Sequence, residues 1–472
     1  MILPSGKRLQ KRKFELWKRS KRQPVYQSSP NVHTHFGLWD TPAHQHWLRF
    51  LLTVCSSRHA STSKLLASQR FLTAAITLLL APVLVAQDQS ATETPAQSQT
   101  TSPVADAALP LAKFFPVPQL RGKQTLLKRA KFPVVDAHSH FFIRLRHDPA
   151  QLEGFVELMD RNNIAVSVSI DGRLGDRLEE HIDYLWSKHK KRFVIYANVN
   201  WIGQGRRDQP ETWDCHRPNF VRNTCEQLRA AAAKGISGVK VFKMFGLMYR
   251  NPDGSLIEID DPRFDPIWET CGQLGLPVIM HTADPSAFFE PISPANERYE
   301  ELSRHPDWHF PSSDFPSRKH LHAARNRLFS RHRNTQFIAA HLGNDGEDLE
   351  ETAQFLQDNP NVVVEIASRI SELGRQPYSA RDFLIRFQDR VLFGTDGPWP
   401  EKRYHLYWRF LETKDEYFPY SEKPFPPQGF WRIYGVFLPD TVLRKIYSGN
   451  ASRIIPGVAE RLEAFKEQNQ SR

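Results

Sequence analysis

Cysteine is scarce in this chain. There are four in 472 residues, Cys55, Cys215, Cys225 and Cys271. No CxxC or zinc-knuckle spacing occurs, which excludes a disulfide-stapled scaffold and a zinc ribbon. A Cys215–Cys225 bridge is open in an oxidising compartment, but buried free thiols are the expectation. Glycine-rich nucleotide loops are missing as well. Neither GxGxxG nor a P-loop follows the first predicted strand, so the usual ground for an open dinucleotide-binding sheet is gone. The apolar run FLTAAITLLLAPVLV (71–85) is shorter than the ~20 residues of a comfortable bilayer span, and it contains Pro82. Acids are nearly absent from the first stretch. Between Met1 and Ala86, thirteen Lys and Arg residues face only Glu15 and Asp40, which is the whole formal surplus of +11. Everything after Ala86 is neutral overall. A neutral body offers no footprint for a phosphate backbone, so no nucleic-acid partner is expected.

The basic stretch leads into an export pattern. Lys64 and Arg70 precede the apolar run, and Ala86 is a small residue at a cleavage point. Residues 63–86 therefore read as a signal peptide and the mature protein as exported, with no stable membrane insertion after cleavage. Residues 1–62 read as a basic arm, either an upstream stretch that is not translated or a real extension. Residues 87–108, rich in Gln, Ser, Thr, Pro and Ala, read as a disordered linker. The ordered domain is expected over 109–472.

From Phe132 onward, eight short β-branched runs alternate with helical stretches. The runs are 132–140, 164–170, 192–200, 238–243, 277–283, 336–343, 361–367 and 390–396. Helical period appears at 175–190, 220–235, 348–359 and 380–389, and in a last helix over 438–455 with Asp440 as its N-cap. Eight strand–helix repeats predict an α/β fold, a (β/α)8 TIM barrel, with long βα-loop insertions at 244–261 and 284–318.

Chemistry-bearing residues fall at the strand ends. His138 and His140 lie two apart in DAHSH, so both point the same way at the end of the first strand. His281 follows PVIM, His341 follows FIAA and Asp396 follows VLFGT. In a barrel those ends ring one mouth. Imidazoles and a carboxylate gathered at one mouth suit zinc, with manganese or iron as alternatives. Asp136, on the same face as the histidine pair, suits a hydrogen bond to a ligand imidazole or a plain structural turn.

HSH in the first strand, PVIMH in the fifth, AAHLGN in the sixth, FGTD in the eighth and the closing GNASRI together resemble the amidohydrolase superfamily. The resemblance is to its branch of single-metal hydrolases and decarboxylases, and it runs from about Phe132 to Ile455. It implies His138, His140, His281 and Asp396 as metal ligands, and Asp396 and His341 as the acid/base pair. A bound divalent ion lowers the pKa of its water to ~7. Two-metal relatives carry a bridging carboxylated lysine on the fourth strand. Here Lys240 is the candidate for that role, and Lys243, three positions on, points the other way.

Lys243, Arg298, Arg369 and Trp399 are candidate contacts to a small-molecule substrate; the arginines suit a carboxylate-bearing or ring compound, or else tie loops to acids such as Glu372. Glu365 is expected to face the mouth or to pair with Arg369. The aromatic- and Pro-rich segment 411–435 is expected to cover the mouth or to make a homo-oligomer contact. Hydrolysis of an amide, ester or lactone is the leading expectation. Decarboxylation of an aromatic or unsaturated acid is the second, and a non-catalytic envelope binding protein is the third.

Overall fold

The computed structural model describes residues 109–470, apart from 111–112, 115, 176 and 424–426. The expected arm, export signal and linker lie outside the described residues. Eight strands form one parallel sheet in sequence order. They are β1 (Val134–Ser139), β2 (Ile164–Arg173), β3 (Phe193–Asn198), β4 (Gly238–Val241), β5 (Val278–Met280), β6 (Phe337–Ala339), β7 (Val362–Glu365) and β8 (Val391–Leu392). The ends of the sheet meet through the Ala137 N–H, which donates to Phe393 O at 3.0 Å, and a parallel bridge between Ser139 and Gly397. This is the expected (β/α)8 barrel. Every predicted strand is present; β4 to β8 are shorter than the apolar runs, because the chain turns to build the mouth before the run ends.

The principal helices are α1 (Phe141–Leu145), α2 (Pro149–Asn162), α3 (Arg177–His189), α4 (Phe220–Ala233), α5 (Asp265–Gln273), α6 (Arg318–Arg331), α7 (Leu349–Asp358), α8 (Pro377–Arg386), α9 (Glu401–Glu412) and α10 (Val458–Gln470). Strand residues alternate between two cores. Val134, Ile195, Val239, Val278, Phe337 and Val364 pack outward against helices, while Val135, Val168, Val194, Ile279, Ile338, Val363 and Leu392 pack inward. Burial on both faces is why these strands read as near-continuous apolar runs. Val458, Leu462 and Phe465 of α10 join the inner core and seal it. The last predicted helix is broken: 440–444 and 450–454 are α-helical, 445–449 is π-helical, and Pro439, not Asp440, caps its start. Cys215, Cys225 and Cys271 are buried free thiols. Among the described residues, no helix is long and apolar enough to cross a membrane.

Candidate metal centre

His138 and His140 converge at the end of β1, with ring centroids 5.3 Å apart. Each imidazole is held from behind by a carboxylate. His138 Nδ1 lies 2.8 Å from Glu365 Oε1, and His140 Nδ1 lies 2.6 Å from Asp171 Oδ1. A carboxylate only accepts, so each Nδ1 carries the proton and each Nε2 presents a lone pair. Both lone pairs face Asp396 Oδ1, at 3.6 Å from His138 Nε2 and 3.2 Å from His140 Nε2. Donors on one tetrahedral ion with ~2.0–2.1 Å bonds lie ~3.3–3.4 Å apart, so the three atoms fit a divalent metal. His138 Nε2 is buried without a hydrogen-bond partner, as a metal-facing atom would be. Gly394 makes room for this arrangement: a Cβ there would sit 2.9 Å from Glu365 Oε2 and 3.3 Å from His138 Cβ.

Two open expectations are resolved at this point. Asp136 contacts neither imidazole; it accepts from Thr395 N at 3.0 Å, Thr395 Oγ1 at 2.5 Å and His138 N at 3.2 Å, tying β1 to β8. Burial pushes its carboxyl up to about 7 against those hydrogen bonds. Glu365 faces inward toward the mouth histidines and is not paired with Arg369. It backs His138 and also accepts from the N–H groups of His341 and Ala367. Asp171 was missed, although it stands in β2 directly after the apolar run 164–170.

His281 and His341 complete a row of rings. His341 lies 4.7 Å from His138 and 4.5 Å from His281 between centroids. His281 stands one ring away from the three converging donors. Its Nε2 is buried, without a hydrogen bond, 3.5 Å from Asp284 Oδ1. Asp284 also pairs with Lys243, so Lys243 sits at the rim with its charge engaged. Burial opposes ionisation of Asp284, but the Lys243 charge holds its carboxyl far below the usual range. Lys240 points inward and is 1% exposed, and its Nζ has no hydrogen-bond partner. Burial lowers it to about 8, partly offset by the charges of Glu365, Asp396 and Asp171.

The last four strands leave the barrel through strained backbone. Ala283 (φ 63), His341 (φ 56), Ser368 (φ 56) and Asp396 (φ 62) are non-glycine residues in the left-handed region. After His341 the chain stays there through Leu342 (φ 59), Gly343 (φ 68) and Asn344 (φ 60). Each non-glycine residue so placed costs roughly 1–2 kcal/mol, and such backbone persists only where its surroundings hold it. Three arginines do so. Arg325 donates to Gly343 O at 2.6 Å, Arg318 to Asn344 O, and Arg369 to His341 O at 3.2 Å and Asn344 Oδ1 at 2.6 Å.

Arg369 is therefore a clamp on the His341 turn and is not free to meet a substrate. Arg298, also expected at the substrate, is 1% exposed and locked between Glu301 and Glu372. Two carboxylates far apart in sequence claim its charge. Trp399 donates from Nε1 to Thr395 O at 2.7 Å, and the Arg144 guanidinium stacks on its ring at 3.7 Å. Trp431, from the 411–435 segment, packs beneath Arg298 and Arg375, so that segment covers loops at the mouth.

The amidohydrolase family model matches residues 135–456, more than half of the chain. The chain belongs to the amidohydrolase family. That family is metal-dependent, which agrees with the donor cluster of this amidohydrolase. No curated protein matches the chain. Among solved structures it is similar to an uncharacterized TIM-barrel protein from Bordetella bronchiseptica, with 16% identity over 70% of this chain and 99% of that one and a TM-score of 0.39. It is also similar to a 2,6-dihydroxybenzoate decarboxylase, with 16% identity over 68% of this chain and 98% of that one and a TM-score of 0.40. A third is 4-oxalomesaconate hydratase from Rhodopseudomonas palustris, with 14% identity over 72% of this chain and 99% of that one and a TM-score of 0.37.

Proposed function

We propose that this amidohydrolase hydrolyses an amide, ester or lactone bond of a small molecule at a divalent metal. The observation that carries the reading is the convergence of His138 Nε2, His140 Nε2 and Asp396 Oδ1, with both Nδ1 atoms tied to carboxylates. These three residues would hold the ion, with His281 as the nearby further donor. When bound, a divalent ion supplies Lewis acidity toward a carbonyl oxygen and acidifies water near neutral pH.

The chain's own groups do the rest. Asp396 is the carboxylate that the two Nε2 lone pairs face, and as a ligand to a cation it stays ionised. Its Oδ2 is positioned by the Ser368 hydroxyl at 3.2 Å. Asp396 is thus the base for the attacking water. His341 Nδ1 donates to Ala367 O at 2.9 Å. A carbonyl cannot donate, so Nε2 is the unprotonated atom, able to take up a proton and return it to the leaving group.

Metal-loaded protein should release acid from at least one class in a panel of lactones, esters and amides, and Asp396→Ala should abolish that release. Carbon dioxide from aromatic acids in the same panel would move the reading to decarboxylation. No turnover of any class by metal-replete protein would overturn it.

A further inference from the structure

Arg144, in the short helix α1 beside the mouth, was not singled out by the sequence. It donates from Nε at 3.1 Å and Nη2 at 2.8 Å to the backbone carbonyl of Asp396, the residue whose side chain faces both donor imidazoles. Its plane lies 3.7 Å over the Trp399 ring. The guanidinium has five N–H groups, and these contacts occupy one edge of it. Among the described residues, the Nη1–Nη2 end makes no further hydrogen bond. A rigid fork on an aromatic platform loses little freedom on meeting a planar anion, and end-on pairing with a carboxylate is the geometry that arginine favours.

The charge around the donors points the same way. The carboxylates touching the two imidazoles are Asp171, Glu365 and Asp396, and the nearby fixed cations are Lys240 and Arg144. A divalent ion would add two positive charges to that cluster, which favours an anion beside it. The rim near it is aromatic, with Phe242 stacked on His140 at 5.9 Å.

We propose that Arg144 determines specificity: its free end binds a carboxylate carried by the substrate, so the substrates of this site are carboxylate-bearing compounds. This rests on the barrel-mouth reading above. The sequence expected Arg298 and Arg369 in this role, and the structure commits both elsewhere.

The test is calorimetric and needs no turnover. Benzoate and glutarate are titrated into metal-loaded protein, with benzamide and glutaramide as neutral matches, and metal content is measured alongside. Arg144→Gln should weaken both carboxylates by at least about tenfold while leaving the amides within about twofold. Arg144→Lys keeps a charge and a donor for Asp396 O, and should give an intermediate loss. Trp399→Leu removes the platform and should weaken the carboxylates alone. Should Arg144→Gln shed metal, the other two variants decide the matter. Unchanged carboxylate affinity in the metal-replete variants, equal loss for the amides, or failure of the wild type to bind either carboxylate overturns the proposal. Arg144-dependent carboxylate binding without any hydrolysis would leave this site standing and remove the hydrolase reading.

Discussion

The two sides of the barrel mouth hold their histidines differently. On the β1 side, His138 and His140 sit at the end of β1, and carboxylates, Glu365 and Asp171, grip their Nδ1 atoms. On the β6 side, His341 sits on a left-handed turn, and a neutral carbonyl, Ala367 O, grips its Nδ1. A carboxylate behind an imidazole raises its basicity as a ligand, whereas a carbonyl fixes its tautomer and leaves its charge alone. Under the proposed function, the first side holds a cation and the second places a neutral proton acceptor beside it.

That contrast can be broken from either side. The largest effect is expected on the carboxylates. Glu365→Gln and Asp171→Asn should each weaken metal affinity by about 10–100-fold in a chelator competition; equal affinity in both variants would show that the buttresses are packing only. Acid should come next. Behind β2, Ser169 Oγ, His181 and His147 form a hydrogen-bonded chain, at 2.7 Å and 2.8 Å, that pins the corner after α1. Burial lowers His181 from 6.5 to about 4, so the unfolded chain takes up this proton first. The stability it contributes is therefore full above pH 6.5 and is lost as pH falls toward 4, on the order of 3 kcal/mol. Thermal melts across that range should flatten in His181→Gln.

On the second side, Arg369→Met frees His341 O and Asn344 Oδ1 and should cost about 2 kcal/mol in a urea titration. It should lower kcat more than metal content; an unchanged kcat would mean the turn holds itself. The smallest effect has an unusual sign. Ala283→Gly should raise stability by about 0.5–1 kcal/mol, because relief of the left-handed penalty exceeds the loss of one buried methyl. A loss, as at an ordinary backbone position, would contradict the strain described here.

The barrel was legible because parallel strands buried on both faces write their period plainly, and His138, His140, His281, His341 and Asp396 stand directly after such runs. What could not be read was anything requiring a partner distant in sequence. Glu365 reaches His138 across 227 positions, and Arg298 reaches Glu372 across 74. Arg298 and Arg369 look like substrate contacts in the sequence because arginine spends its charge on whichever acid or carbonyl the fold brings near. Asp171 carried one readable signal, its place directly after the apolar run 164–170. The left-handed turn carried little, since only Gly343 among its four residues is a glycine.

The central claim is that His138, His140 and Asp396 hold a divalent metal. Elemental analysis of the purified chain beside the His138→Ala/His140→Ala variant tests it most directly. The account predicts near-stoichiometric zinc or manganese in the wild type and none in a folded double variant. Full metal retention in that variant would contradict it.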